Sequence, residues 1–372
     1  MRLLYFINSI TNSGGMERIV IDKINYLVNI EGCEVSLAYY GSENDMPFFS
    51  IDERVKRKAV LSRKGTSSFT KRFLTFFEIR KTVLDIIDET TPDVIVNANM
   101  TLVSWLLPFI RKDIPKIVEL HFSWIGMRKI NKEIYGHNFV KSWFNNFLRN
   151  HFYPLYDKCV LLTNEDLHDW GFKNAVVIPN FTNLHFPNYD RISKDKIAVN
   201  VGRLSSPKNQ KMLVDAWKIV HAKEPDWKLE IWGDGELKND LSIQINRLEL
   251  DCTVSLKGVS YHIEEVYKYA SFFVLSSCYE GHPLVMIEAL QAGLPCVCTS
   301  VNGVRGTIKS DYNGFVVEDM TAESLADGIL KIIRTDKRCA MSINAKETAK
   351  AFEKEHVMQM WIKLFNNMAY ND

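Results

Sequence analysis

Alternation of predicted strands and helices is the feature that most restricts the fold of this chain. Short apolar runs of strand length, such as Leu3–Ile7, Val35–Tyr39 and Ile197–Val201, alternate with longer segments of helical character. Alternation on this scale predicts parallel sheets joined by right-handed crossovers. The fold class is therefore α/β, and a chain of 372 residues is long enough to form more than one such sheet.

One segment interrupts the alternation. Between Asn180 and Lys196 the residues Asn, Pro, Tyr, Asp, Arg and Ser dominate, and we interpret this segment as a linker. The sequence therefore predicts two doubly wound, Rossmann-like domains, at about 1–185 and 186–352. Ligands of such folds lie at the carboxyl ends of the strands, so a ligand between two facing domains is expected.

Composition excludes several classes of protein. No apolar run reaches the length of a membrane span, and the apolar run Met1–Ile7 is cut short by Asn8 and Ser9, which favours a first strand over a signal peptide. The seven cysteines are scattered and form no CxxC pair. Reduced thiols in the cytosol fit this pattern better than a disulfide framework or a zinc site.

Positive charge is concentrated in one region, although the net charge of the chain is only +1. Between Arg54 and Lys81 ten basic residues stand against the single acidic residue Glu78. A local excess of this size predicts an anionic partner. Nucleic acid is not expected, because no aromatic-platform motif accompanies the basic run.

Part of this basic region is a predicted amphipathic helix at about 66–89, whose phenylalanines recur at helical spacing. Two interpretations stay open. The helix is either a core helix with a solvated basic edge, or a surface that meets anionic membrane and a lipid-diphosphate acceptor. The basic residues concerned are Lys71, Arg72, Arg80 and Lys81.

The most informative turn follows the apolar run Ala270–Leu275. The chain turns through Glu280-Gly-His-Pro283, and a helix is predicted from Pro283 to the stop at Gly293. Free N–H groups and the positive end of the helix dipole favour an anion there. Glu280 and Glu288 offer acceptors for sugar hydroxyls, so the turn predicts a site for an anion joined to a polyol.

Two cations are expected at the same sheet edge. Gly202-Arg203 ends the first strand of the second domain, and Lys208 opens the next helix. Either both residues are ordinary solvated cations, or they clamp a diphosphate. No Asp-x-Asp metal motif is present, so a bound diphosphate would be neutralised by Arg203, Lys208 and helix N-termini rather than by a divalent ion.

The first domain offers two weaker candidates. Gly14-Gly15 forms a turn between a strand and a helix, and it matches neither a Walker loop nor the GxGxxG fingerprint. The glycines either allow a tight turn or let the backbone approach a phosphate or sugar. His121 ends a predicted strand at the ligand edge, where a structural and a functional role are both open.

Together these motifs resemble those of family-4 retaining glycosyltransferases of GT-B fold. The E-x7-E element, Glu280 to Glu288, is the most specific, and the similarity extends over nearly the whole chain. The segments Asn12–Arg18 and Tyr312–Phe315 are most similar to bacterial enzymes that extend polyprenyl-diphosphate-linked oligosaccharides. The other matching segments are Gly202-Arg203-Leu204, Lys208, Gly14-Gly15, His121, Ile178-Pro-Asn180, Gly233-Asp-Gly235 and Gly258.

The resemblance implies a role for each matching residue. Arg203 and Lys208 would hold the nucleotide diphosphate, Glu288 the ribose, and Glu280 the donor sugar. His121 would meet that sugar from the other domain, and residues 353–372 would form a helix that packs back on the N-terminal domain. The implied catalytic residues are Glu280, His121, Arg203 and Lys208. The implied donor-binding residues are Gly14, Gly15, Asn180, Gly202, Arg203, Lys208, Gly258, Val259, Glu280, Gly281, His282, Pro283, Leu284, Val285 and Glu288.

Two departures from the family pattern bear on sugar specificity. His282 stands where Phe or Leu is commoner, and the Gly-Gly-x-x-Glu that often follows reads Asn302-Gly-Val-Arg-Gly306.

The expected function is transfer of a hexose or N-acetylhexosamine from a nucleotide sugar, a UDP-sugar above all, to a bacterial surface or lipid-linked oligosaccharide. The enzyme is expected to work without metal or cofactor, in the cytoplasm at the inner face of the cell membrane. Two alternatives are a nucleotide-sugar epimerase of the same shape and an inactive sugar-nucleotide-binding protein.

Overall fold

A computed structural model describes residues 1–60, 69–98, 102–135, 139–184, 186 and 195–370, without the side chains of 69–75, 131–135 and 139–140. The chain folds as two compact units. Unit 1 comprises Met1–Pro179 and Glu355–Asp372, and unit 2 comprises Asn180–Lys354. The first boundary falls where the predicted linker begins, and residues 185 and 187–194 of that linker lie outside the described residues.

Unit 1 is built on a seven-stranded parallel sheet with the strand order β3-β2-β1-β4-β5-β6-β7. The strands are β1 (Arg2–Ile7), β2 (Glu34–Tyr40), β3 (Lys56–Val60), β4 (Val94–Asn97), β5 (Lys116–Glu119), β6 (Lys158–Leu161) and β7 (Ala175–Val177). The helices between them are α1 (Gly15–Asn29), α2 (Phe69–Thr90), α3 (Leu102–Leu106), α4 (Trp124–Tyr135), α5 (Phe139–Phe152) and α6 (Asn164–Trp170).

Unit 2 is built on a six-stranded parallel sheet with the order β10-β9-β8-β11-β12-β13. The strands are β8 (Ile197–Val201), β9 (Lys228–Trp232), β10 (Val254–Gly258), β11 (Phe272–Leu275), β12 (Cys296–Thr299) and β13 (Gly314–Val317). The helices are α7 (Gln210–Lys223), α8 (Lys238–Arg247), α9 (Ile263–Tyr269), α10 (Leu284–Gln291), α11 (Ala322–Arg334) and α12 (Arg338–Ala349). The last helix, α13 (Lys354–Tyr370), belongs almost entirely to unit 1.

Apolar side chains explain why the strands form where they do. Neighbouring residues of β11 alternate between two cores: Phe272 packs in one cluster with Trp217, and Phe273 packs in another with Met286. A strand covered on both faces must be apolar along its length, as in parallel sheets generally. The α/β class with two doubly wound units is thus confirmed.

The structure contains two elements that were not predicted from the sequence, and it gives the bounds of two predicted helical regions. The basic segment Lys56–Val60 is the edge strand β3, for which no element was predicted. Helix α6 was not predicted, although Thr163 caps its first turn and Gly171, with φ of 62°, ends it. The aromatic and basic sequence from about Lys132 to Phe152 predicts a helical region, and the structure places parts of two helices, α4 and α5, within it. The predicted basic helix begins, within the described residues, at Phe69.

Tertiary contacts also change the meaning of the basic run. Lys58 contacts Glu89, Arg54 contacts Asp52 at 2.9 Å, and Lys56 lies 3.9 Å from Glu34. All three carboxylates lie outside residues 54–81 of the sequence, so the count of charges in that range does not include them. The sequence count therefore overstates the positive charge that is free at this end of the region.

Candidate functional site

The turn between β11 and α10 is the centre of the candidate site. Helix α10 begins at Leu284, one position after its predicted start, with Pro283 as the N-cap, and Gly293 follows its end with φ of 74°. Gly303 packs beneath the turn: a Cβ there would lie 2.8 Å from the carbonyl oxygen of Gly281 and 2.9 Å from the His282 ring. A larger residue at 303 would displace the turn.

Glu280 pairs with Lys208, which was predicted to lie at the same sheet edge but not to bond to it. Lys208 Nζ donates to Glu280 Oε1 at 2.6 Å, and the Ser277 hydroxyl donates to the same oxygen at 2.6 Å. No further bond of this carboxylate is recorded within the described residues, which leaves Oε2 for another donor. The side chains of Lys208 and Glu280 keep 27% and 12% of their surface exposed, so a ligand can reach the pair.

Backbone bonds hold the two segments of this pair together. The Cys278 N–H donates to the Pro207 carbonyl at 2.8 Å, and the Ser276 hydroxyl donates to the Lys208 carbonyl at 2.8 Å. These bonds tie the loop after β8 to the turn after β11, two strands that are neighbours in the sheet. The position of Lys208 is thus fixed by the fold rather than by its ion pair alone.

Arg203 is placed at the same edge but points into solvent. Its side chain is 77% exposed, and its Nε lies 3.8 Å from Glu236. The backbone beneath it is tightly packed, because a Cβ on Gly233 would fall 1.9 Å from the Gly202 carbonyl oxygen. Each of the two cations is paired with a different carboxylate, Arg203 with Glu236 and Lys208 with Glu280.

Glu288 lies inside the protein. Its carboxylate accepts a hydrogen bond from the Tyr267 hydroxyl at 3.0 Å, and only 2% of the residue is exposed. A ribose would contact the Glu288 carboxylate only at the edge of this buried region.

Asn180 and His282 bind each other. The Asn180 side-chain amide donates to the His282 carbonyl at 2.8 Å, and the Asn180 N–H faces His282 Nδ1 at 3.3 Å. The ring of His282 packs on Phe352, with centroids 5.0 Å apart. Burial lowers the pKa of His282 to about 4, so the ring is neutral near pH 7. Both residues thus shape the turn, and one N–H of the Asn180 side-chain amide is already bonded to it.

The remaining donor-site candidates of unit 2 lie along the same edge. Gly258 ends β10 with φ of 76°, and its carbonyl accepts from the Gly233 N–H at 2.7 Å. Val259 after it is exposed. Gly281 and Pro283 are buried, and Leu284 and Val285 are half-buried.

In unit 1, Gly14 is the N-cap of α1 and Gly15 its first residue. Glu17 occupies the space above Gly14, since a Cβ built there would fall 2.2 Å from Glu17 Oε2, and Asn12 donates to Glu17 Oε1 at 3.2 Å. A carboxylate at this helix start would compete with a phosphate. The sequence prediction did not consider it.

His121 follows β5 and is surrounded by buried charge. Its Nε2 lies 3.4 Å from Glu119 Oε1, and Glu119 Oε2 accepts from Lys23 Nζ at 2.5 Å. Burial, which outweighs the effect of Glu119, lowers the pKa of His121 to about 4. The sequence analysis singled out His121 but missed Glu119 and Lys23, although Glu119-Leu-His121 at a strand end already places both side chains on one face.

The sequence predicts an aromatic and basic helical region around α5, but not that one aromatic face of it is exposed. On α5 the rings of Trp143 and Phe147 stack at 5.6 Å, and Phe144 beside them is exposed too. Of the predicted membrane residues, Arg80 and Lys81 are exposed on α2, while the side chains of Lys71 and Arg72 lie outside the described residues.

The part of the chain that the structure covers offers neither a metal cluster nor a membrane-spanning helix. Among those residues no group of three or more His, Cys, Asp or Glu is arranged to hold a metal ion. No helix in the described ranges is both long and apolar enough to cross a bilayer.

Comparison with known proteins identifies the family of the chain. Residues 13–186 match the family model described as Glycosyltransferase Family 4, and residues 182–348 match that of Glycosyl transferases group 1. The amylovoran biosynthesis glycosyltransferase AmsD of Erwinia amylovora is 27% identical over 98% of this chain and 99% of its own length. The GalNAc-alpha-(1->4)-GalNAc-alpha-(1->3)-diNAcBac-PP-undecaprenol alpha-1,4-N-acetyl-D-galactosaminyltransferase of Campylobacter jejuni is 27% identical over 98% of both chains.

Solved structures share the fold. Sucrose-phosphate synthase of Thermosynechococcus elongatus superimposes with a TM-score of 0.82 at 17% identity over the full length of both chains. Anabaena HepE in complex with UDP gives a TM-score of 0.77 at 18% identity, over 99% of this chain and 100% of that one. The fold and both family matches therefore define a glycosyltransferase of the GT-B class. Within it, the chain belongs to glycosyltransferase family 4, as the E-x7-E motif predicts.

Proposed function

We propose that this glycosyltransferase moves a hexose or N-acetylhexosamine from a UDP-sugar to a lipid-linked or surface oligosaccharide, with retention of configuration and without a metal ion. The observation that carries the proposal is the Lys208–Glu280 pair. Glu280 uses Oε1 for both Lys208 and Ser277, which leaves Oε2 for a sugar hydroxyl. Lysine carries three donors, so Lys208 keeps two N–H groups for a diphosphate.

The chemistry follows from the charges. Breaking the sugar–phosphate bond develops negative charge on the leaving diphosphate and positive charge on the sugar ring. Lys208, Arg203 and the N–H groups at the start of α10 would stabilise the diphosphate. Glu280 would hold the sugar hydroxyls, Glu288 the ribose and Gly258-Val259 the base. From the same family resemblance, His121 would contact the donor sugar as a neutral hydrogen-bonding group.

The relatives support the choice of donor and acceptor. The Campylobacter jejuni relative is named for an undecaprenol-diphosphate-linked acceptor, and an Escherichia coli relative, 32% identical over 39% of this chain, is named UDP-Gal:alpha-D-GlcNAc-diphosphoundecaprenol alpha-1,3-galactosyltransferase. The Anabaena structure holds UDP. A UDP-sugar and a polyprenyl-diphosphate-linked glycan are therefore the substrates proposed for this chain.

A donor screen tests the reaction. UDP release is measured with UDP-glucose, UDP-galactose, UDP-GlcNAc and UDP-GalNAc, with and without bacterial membrane extract, in EDTA. Release that requires the extract is expected with at least one donor, and the anomeric configuration of the product is read by NMR. Conversion of the donor without extract would identify an epimerase, and no turnover in any condition would identify a binding protein.

We further propose that the enzyme associates with the anionic inner face of the membrane through α5. The helix presents Trp143, Phe144 and Phe147 to solvent, and its sequence contains Lys141 and Arg149 but no Asp or Glu. Exposed aromatic rings beside basic residues suit the bilayer interface. We therefore propose α5 as the membrane-binding surface, ahead of the basic residues of α2, which are Lys71, Arg72, Arg80 and Lys81.

Vesicle flotation distinguishes the two surfaces. With anionic vesicles, W143S/F144S is expected to reduce binding strongly, and R80S/K81S is expected to change it less. Ile243→Ser in α8, which removes an equally exposed apolar side chain from unit 2, is the matched control. Equal binding of all variants, or binding that ignores salt and lipid charge, would contradict the proposal.

A further inference from the structure

The buried charges next to His121 have no role in the chemistry proposed so far. Lys23 and Glu119 form an ion pair of 2.5 Å, with 1% and 3% of their side chains exposed. Burying two charges is costly, and apolar residues of similar volume often serve stability as well or better. A pair of this kind therefore suggests a use other than stability.

The surroundings of Lys23 fix the pair in place. The helix α1 directs Ile19, Lys23 and Leu27 toward the interior, so a lysine occupies a position where helical periodicity calls for an apolar residue. The ammonium group lies 3.7 Å from the centre of the Trp361 ring and 5.5 Å from that of Tyr5. These rings, from α13 and β1, attract the cation and exclude water. Lys23 is thus confined against Glu119.

Glu119 in turn faces His121. Residues two apart on an extended strand point to the same side, and the Leu120 N–H still bonds to the Val160 carbonyl at 3.0 Å, so the extension continues past β5. With Oε2 held by Lys23, Oε1 lies 3.4 Å from His121 Nε2. That ring nitrogen is buried and has no hydrogen-bond partner among the described residues.

We propose that Lys23 and Glu119 are positioning residues that fix the ring orientation and the tautomer of His121. Nε2 carries the proton and directs it to Glu119, which leaves the lone pair on Nδ1 to accept a hydrogen bond from a hydroxyl of the donor sugar. Lys23 holds Oε2 of Glu119 and so prevents rotation of that carboxylate. The inference rests on the proposed role of His121, and it adds two residues that are 96 positions apart in sequence.

The tautomer is measured directly in the unmodified protein. Labelling the nine histidines with nitrogen-15 and recording imidazole correlation spectra at pH 7 should show His121 in a single form protonated at Nε2, assigned by its loss in His121→Asn. A form protonated at Nδ1 overturns the inference. This result does not depend on the folding of any Glu119 variant.

A charge-removing variant tests the consequence for turnover. Glu119→Gln is expected to give a mixture of tautomers and to lower kcat by about 10- to 100-fold, by analogy with partners that orient a metal-bound histidine, while KM for the UDP-sugar selected in the donor screen changes about twofold or less. Asp166→Asn is the matched control, because Asp166 is a buried carboxylate of the same unit that belongs to the Thr163 cap instead.

The experiments distinguish an error in the proposed role of His121 from an error in the positioning role of Lys23 and Glu119. If His121→Asn retains turnover, the proposed role of His121 is wrong. If His121→Asn loses turnover but Glu119→Gln keeps both the tautomer and kcat, only the positioning role of the pair is wrong.

Discussion

The two units each contain a lysine–glutamate pair followed by a histidine two residues after the glutamate, and the two arrangements differ in access to solvent. In unit 1, Glu119 bonds to Lys23 at 2.5 Å and faces His121. In unit 2, Glu280 bonds to Lys208 at 2.6 Å, while His282 turns away to Asn180.

The difference comes from the backbone that follows each glutamate. After Glu119 the chain stays extended, so the histidine side chain returns to the same face. After Glu280 the chain turns into α10, and the histidine bonds to Asn180 and packs on Phe352 instead. The same Glu-x-His sequence therefore gives a buried cluster in unit 1. In unit 2 it gives a partly exposed pair, Lys208 and Glu280, which a ligand can reach.

The largest expected effect is on the buried pair. Lys23→Met removes the cation and leaves Glu119 charged and buried, so we expect the free energy of unfolding to fall by about 3–5 kcal/mol. The measurement is urea denaturation followed by tryptophan fluorescence. Lys208→Met, whose pair is partly exposed, is the matched control and should cost about 1 kcal/mol or less. Equal losses in both variants would remove the distinction between the pairs.

Acid should weaken both units through their histidines. The pKa of His121 and of His282 is about 4 in the folded protein, below the ordinary value of 6.5. The unfolded chain therefore takes up protons first, so stability is complete above about pH 6.5 and declines as the pH falls toward 4. Each histidine accounts for a loss on the order of 3 kcal/mol.

Urea denaturation at pH 7 and pH 4.5 measures this loss. His282→Phe should lose less stability between the two pH values than the unaltered protein does, because the variant lacks the imidazole that takes up a proton when the chain unfolds. An identical acid loss in both proteins would show that His282 is not held neutral by burial.

Much of this architecture is visible in the sequence, and the exceptions have physical causes. The turn at Glu280 is predictable because Gly and Pro mark its limits locally. Strand β3 was missed because Lys56, Arg57 and Lys58 are polar, as suits an edge strand that must not pair further. Lys23 and Glu119 were missed because their partnership depends on the approach of α1 to β5, which no local pattern encodes.

The candidate site, like the fold, could be predicted only in part from the sequence. Sequence position alone placed Lys208 and Glu280 at one sheet edge, and the structure joins them. The sequence could not show that Arg203 points into solvent or that Glu288 is buried against Tyr267. Nor could it show that the Asn180 amide bonds to His282. These depend on side-chain direction rather than on which element carries the residue.

The Lys208–Glu280 pair should matter more for turnover than for stability. Lys208→Ala is expected to lower transfer by about 100-fold, as for loss of one donor to a developing anion, with little change in unfolding. Arg203→Ala should act in the same direction. Lys211→Ala, which removes a surface lysine paired with Asp240 at 2.8 Å, is the control and should leave the rate of UDP release within about twofold. Near-normal turnover of Lys208→Ala would take it out of the donor site.

The smallest effect is expected from His282→Phe at pH 7. The substitution removes the contact between the Asn180 N–H and Nδ1, at 3.3 Å, but keeps the carbonyl that the Asn180 amide binds and a ring to pack on Phe352. One hydrogen bond of this length contributes about 1 kcal/mol or less. Because the imidazole is already neutral, the phenyl ring changes no charge next to Glu280, and transfer should stay within about threefold. A loss comparable to that of Lys208→Ala, with normal urea stability, would mean instead that the His282 ring contacts the donor sugar and that the two histidines have equivalent roles.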